Sequence, residues 1–179
     1  MRLEITGPRF GSLNVKRQYL WEGGSENFKR VVGMKHVVDR VHSLGLKFGI
    51  YADRGPKTCS GGPGSGGREQ GDAATFASWG VDYLKEDSCN VDADDHALAF
   101  REYAVMRDAL AATDRAIYFS LCGWKPWYAP EGASLGNSWR TTGDVTGWPS
   151  VYNTLHLNSL LAAHSGPGAP RYTSTSISI

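Results

Sequence analysis

The chain has 179 residues, 41% of them hydrophobic, with six Trp, eight Tyr and six Phe, and a formal charge of +1 from 19 basic and 18 acidic side chains. Such a composition describes an ordered domain whose aromatics are core residues first and numerous enough to line a sugar-sized cleft as well, and its evenly spread charge offers no footprint for nucleic acid or an anionic membrane. No apolar run approaches the ~20 residues of a membrane span, and the first eight residues lack the apolar stretch of a signal peptide, so the chain as given carries no export address. Three cysteines and five scattered histidines show neither disulfide-scaffold nor metal-site spacing; no metal and no cofactor are expected.

Residues 1–27 mix Gly, Pro and basic residues, with at most one short strand near 12–15. From Phe28 the pattern sharpens. Met34, Val37, Val38, Val41 and Leu44 recur at helical spacing and Gly45 follows as a stop. The run 46–53 reads as a strand buried on both sides. The Gly-rich stretch 59–67 lacks the Gly-Lys-Ser/Thr ending of a phosphate cradle, so a flexible loop is expected there. A helix over 69–79, stopped by Gly80, leads into a short buried strand within 81–90, where Tyr83, Lys85 and Asp87 share one face. A long helix over 94–113 puts Ala99, Tyr103, Met106 and Leu110 on one stripe. A continuous apolar strand over 116–122 follows, then a Trp- and Pro-rich loop and a short strand over 138–142. Last come a loop bearing Asp144, a helix over about 149–160, and residues 161–164 as the start of one more strand.

Helix, glycine, buried strand and loop repeat at nearly constant spacing, which predicts an α/β fold of right-handed βα units on a parallel sheet. A doubly wound sheet and a barrel both satisfy the pattern. The barrel is favoured because chemically useful residues, Asp53, Asp87, Cys122 and Asp144, lie at or just beyond successive strand ends instead of clustering at one switch point. An eight-fold barrel takes about 250 residues, so the expected architecture is a (β/α)8 TIM barrel present here as an incomplete barrel lacking its first and last strands. The expected layout is a poorly defined segment over 1–27, a partial catalytic barrel over 28–168, and an aberrant Ser/Thr-rich tail over 169–179 that reads as a misjoined or shifted frame. With raw sheet edges and an open interior face, this chain alone is expected to be inactive and only marginally folded.

Lys85 beside Asp87 at a strand end sets a cation next to a carboxylate in an enclosed setting, the surroundings of a nucleophile; a structural ion pair reads equally well. A second carboxylate, Asp144, tips the balance toward function. The two would lie two strands apart, with side chains roughly 5 to 7 Å from each other, a range that straddles retaining and inverting glycosidase geometries.

Four motifs carry a resemblance: Gly45-Leu46-Lys47-Phe48-Gly49-Ile50-Tyr51-Ala52-Asp53, Lys57-Thr58-Cys59-Ser60-Gly61, Phe76-Ala77-Ser78-Trp79-Gly80-Val81-Asp82-Tyr83-Leu84-Lys85, and Asn137-Ser138-Trp139-Arg140-Thr141-Thr142-Gly143-Asp144. In this order they resemble the α-galactosidase (melibiase) family, which also holds α-N-acetylgalactosaminidases, over about 34–168. The resemblance implies a retaining exo-glycosidase acting on an α-galactoside, with Asp87 as nucleophile and Asp144 as acid/base. It further implies that Tyr51, Lys85, Cys122, Trp124 and Arg140 line the sugar site, that Cys59 and Cys89 form a disulfide, and that the protein is secreted, lysosomal or vacuolar. Gly123 stands where the family usually has an acidic residue, which leaves α-N-acetylgalactosaminidase as the alternative within the family. A non-catalytic remnant is the alternative outside it.

Overall fold

The computed structural model describes residues 2–4, 13–14 and 33–164; the tail 169–179, and all of 1–27 except two short strands, lie outside the described residues. Four strands, β3 (Gly49–Asp53), β4 (Tyr83–Asp87), β5 (Tyr118–Cys122) and β6 (Ser138–Trp139), run parallel and neighbour one another in chain order. Helices alternate with them: α1 (Met34–Ser43), α2 (Glu69–Trp79), α3 (His96–Ala111), the short α4 (Tyr128–Glu131) and α5 (Trp148–Leu160). Among the described residues these units form an open arc of a barrel wall.

The helices form where the apolar spacing places them. In α1, Val38 and Val41 are buried, and in α3 the stripe of Ala99, Tyr103, Met106 and Leu110 faces inward. Asp95 caps α3 by accepting the Leu98 N–H at 2.8 Å, which satisfies one of the free donors of its first turn. Gly80 ends α2 in the left-handed conformation (φ 86°), open to glycine at little cost, and so turns the chain into β4. All five residues of β3 are buried, as the unbroken apolar run predicts.

At the start of β4, Asp82 ties three elements together. Its carboxylate accepts from the Phe48 N–H at 2.8 Å and Arg115 Nη2 at 2.8 Å, and meets His42 Nε2 at 2.7 Å and Lys47 Nζ at 3.3 Å. Partial burial pushes its pKa upward, but the Phe48 N–H, His42 and Lys47 together hold it below the usual carboxylate value.

The structure departs from the sequence reading in four places. Beside β3, where a parallel neighbour would continue a barrel, stands β1 (Arg2–Glu4), antiparallel to β3 and paired in turn with β2 (Leu13–Asn14). Such pairing needs no crossover helix, so a short segment can cap the edge. Residues 162–164 form a 3-10 turn rather than a strand. The Trp- and Pro-rich loop contains α4. The Gly-rich loop, expected to be flexible, is crossed by backbone hydrogen bonds: Thr58 N–H donates to Gly62 O at 2.7 Å, Gly64 N–H to Pro56 O at 3.0 Å, and Ser65 N–H to Asp53 O at 2.7 Å.

Candidate active site

The parallel register sets Asp53, Asp87 and Cys122 side by side at the ends of β3, β4 and β5. This is the C-terminal edge of the strands, where barrel enzymes gather their chemistry. Asp87 is only 5% exposed. Its Oδ2 accepts from the Tyr51 hydroxyl at 2.8 Å and its Oδ1 from the Ser88 N–H at 3.0 Å, so both oxygens are held in place. The Tyr51 hydroxyl also lies 3.0 Å from Cys59 Sγ, and burial together with the Asp87 charge raises its pKa, keeping it a donor.

Lys85 occupies a different position from the expected one. Its ammonium lies over the Tyr51 ring, 5.7 Å from the centroid, and among the described residues no ion pair joins it to Asp87. Among the groups that hold the carboxylate are a phenol from the neighbouring strand β3 and a backbone amide. A cation two residues away on the same strand face need not turn toward its neighbour when an aromatic face is within reach.

From Asp87 the site continues through Cys122 to Arg140 and Asp144. The Cys122 thiol is buried, and burial together with the Asp87 charge pushes its pKa up to about 12 against the opposing pull of Lys85 and Arg140. Trp124 Nε1 donates to its sulfur at 3.2 Å, and Arg140 Nη1 lies 3.9 Å from it. Arg140 donates from Nε to Thr142 O at 2.8 Å and from Nη2 to Asp144 Oδ1 at 2.5 Å. The side chain of Asp144 is 73% exposed. The two carboxylates thus sit in contrasting settings, one buried and doubly held, the other on a loop with one guanidinium as tether.

Cys59 and Cys89 are bonded, with Cα atoms 5.0 Å apart, and staple the loop after β3 to the loop after β4. Asp53 joins the same two loops: its Oδ1 accepts the Gly55 N–H at 2.8 Å and its Oδ2 the Cys89 N–H at 2.9 Å. Burial raises its pKa to about 7 against the pull of those two donors, and Asp87 adds to the rise. Asp53 and the two sulfurs crowd together as a metal site would, but sulfurs bonded to each other offer no thiolate.

Beneath the site lies a polar layer that the sequence reading missed. Arg54 is buried; it donates to Ser88 Oγ at 2.9 Å and Asp92 O at 2.8 Å, and pairs with Glu102. Ser88 Oγ meets the Tyr103 hydroxyl at 2.8 Å. Glu86, between Lys85 and Asp87 but on the opposite strand face, is fully buried, and neither carboxyl oxygen has a partner among the described residues. One signal was available: strand alternation asks for an apolar residue at position 86, and a carboxyl there breaks the pattern.

The family model described as "Alpha galactosidase A" matches residues 21–171. The chain belongs to this α-galactosidase family. The α-galactosidase of Oryza sativa subsp. japonica is 46% identical over 139 residues, which cover 76% of this chain and 33% of the rice protein. Among solved structures, an α-galactosidase from Saccharomyces cerevisiae matches with a TM-score of 0.72 at 33% identity, covering 79% of this chain and 36% of that one. A Saccharomyces cerevisiae α-galactosidase with raffinose matches with a TM-score of 0.66 at 31% identity, over 76% of this chain and 36% of that one. The chain thus spans about a third of the length of the family relatives it matches. None of its described helices is long and apolar enough to cross a membrane.

Proposed function

We propose that this chain carries the catalytic carboxylates of a retaining exo-α-galactosidase, which removes terminal α-linked galactose from oligosaccharides and simple galactosides. The observation that carries this reading is the contrast between the two carboxylates. Asp87, buried and held at both oxygens, is placed to attack the anomeric carbon without reorganising; Asp144, on an exposed loop beside Arg140, can exchange its proton with water between steps. In the first step Asp87 bonds to the anomeric carbon as the glycosidic bond breaks, and Asp144 gives its proton to the leaving oxygen. In the second, Asp144 takes a proton from water as the water oxygen displaces Asp87, restoring both groups and the original anomeric configuration.

Tyr51, Lys85, Cys122, Trp124 and Arg140 form the wall around this reaction centre in the same reading. The raffinose bound by the yeast relative supports an oligosaccharide substrate. The names of the relatives favour galactose over N-acetylgalactosamine. A disulfide beside the site is in keeping with a secreted, lysosomal or vacuolar protein, because such bonds persist in oxidising surroundings.

The test uses the full-length protein on a nitrophenyl α-galactoside and on raffinose. Asp87→Asn is expected to lower turnover on both by about a thousandfold or more, whereas Asp144→Asn leaves kcat/KM on the nitrophenyl substrate, whose leaving group needs little protonation, far less affected than on raffinose, its loss there falling on the second step. Equal losses on both substrates for both variants would reverse or void the assignment.

A further inference from the structure

The turn that carries Trp124 over the site has a feature that the glycosidase reading leaves unexplained. Trp124 is left-handed (φ 62°), a conformation that a bulky side chain avoids unless its surroundings impose it. The residue before it, Gly123, is buried, and a Cβ built there would fall 2.0 Å from Cε2, 2.1 Å from Cζ and 2.2 Å from the hydroxyl of Tyr128. The Tyr128 ring therefore occupies the volume that any side chain at position 123 would need.

That ring has nowhere to go. Tyr128 is fully buried, stacks on Phe100 at 5.6 Å, and meets the edge of Tyr103 at 5.9 Å, both of them on α3. Trp127 covers it at 4.2 Å.

We propose that Tyr128 is a positioning residue for the sugar site. Its ring, locked against α3, fixes the turn Cys122-Gly123-Trp124 so that Trp124 keeps its left-handed backbone and its indole N–H on Cys122 Sγ. The inference rests on the reading of these strand ends as a glycoside site, of which Trp124 is one wall. The ring does this: its Cε2 and Cζ atoms come nearest to the volume of a side chain at position 123, and its face is what stacks on Phe100 of α3. Position 123 and position 128 are thereby one device: glycine at the first is what allows the ring at the second.

The experiment measures KM and kcat of the full-length protein on a nitrophenyl α-galactoside for Gly123→Ala, Tyr128→Phe, Tyr128→Leu and the double variant Gly123→Ala with Tyr128→Leu, with thermal unfolding as a check on folding. Gly123→Ala and Tyr128→Leu are each expected to raise KM by about tenfold with a smaller change in kcat, as displacement of a binding wall does. Tyr128→Phe keeps the ring and retains the parent KM within about twofold. The double variant is expected to be no worse than Tyr128→Leu alone, because without the ring the added methyl has room. Multiplicative losses in the double variant, or a Gly123→Ala protein with unchanged KM, would overturn the inference and leave the glycosidase reading standing. If Tyr128→Leu does not fold, Gly123→Ala against Tyr128→Phe decides alone. An unmodified protein without α-galactoside hydrolysis would defeat both readings.

Discussion

Glu86 shows how much one residue can cost beneath a working surface. Burial raises its pKa well above the ordinary value, and the charges of Glu69 on α2, Asp53 on β3 and Glu102 on α3 push the same way against the pull of Arg54. The folded chain therefore holds a proton that the unfolded chain releases near pH 4.5. Stability from this group is complete below that pH and is lost as pH rises toward the folded value. Asp53 follows the same sign, with its loss complete above about 7. Glu86→Leu should raise stability at pH 7.5 by about 1 to 3 kcal/mol, the usual cost of an unsatisfied buried polar group. The gain should shrink as pH falls to 4.5. Urea unfolding at the two pH values measures it, and a variant less stable at pH 7.5 would mean that the carboxyl has a stabilising partner.

Among the elements, β4 is anchored at both ends by carboxylates with opposite consequences. Asp87 at its C-terminal end is the proposed nucleophile, whereas Asp82 just before its start gathers Phe48, His42, Lys47 and Arg115 at the opposite end of the strand. The lowered pKa of Asp82 gives stability that is present above about pH 4 and lost as pH falls through the carboxylate range. Asp82→Ala should therefore cost about 1.5 to 3 kcal/mol at neutral pH, the usual worth of hydrogen bonds to a charged group, and progressively less as pH falls below about 4. In the full-length protein KM should not move, since the cluster lies at the opposite end of the strand from Asp87. A changed KM with unchanged stability would contradict that division of labour.

At the scale of the whole molecule, α5 has no buried residue. Trp148, Tyr152, Leu155 and Leu160 are 75%, 72%, 64% and 67% exposed, and α5 follows the edge strand β6. Among the described residues a hydrogen bond from Thr141 Oγ1 to Asn158 Oδ1 at 2.8 Å ties the helix to the segment after β6. An apolar helix face this exposed should leave residues 1–179 alone binding a hydrophobic dye such as ANS and unfolding over a broad temperature range. A sharp transition without dye binding would show that this face is covered in the isolated chain.

Helix spacing, the stops at Gly45 and Gly80, the buried strand runs and the ordered strand-end residues were legible in the sequence because each depends on a few neighbouring residues and one local period. The family motifs lay there too, and with them the Cys59–Cys89 pairing. What the tertiary structure decided is which side chains meet. Asp87 takes its hydrogen bond from Tyr51 across the register and not from Lys85 on its own strand, Tyr128 fills the space of Gly123 from a helix five residues on, and the Gly-rich loop packs against itself. Those contacts depend on strand register and loop path, which the whole chain sets together and no local pattern records.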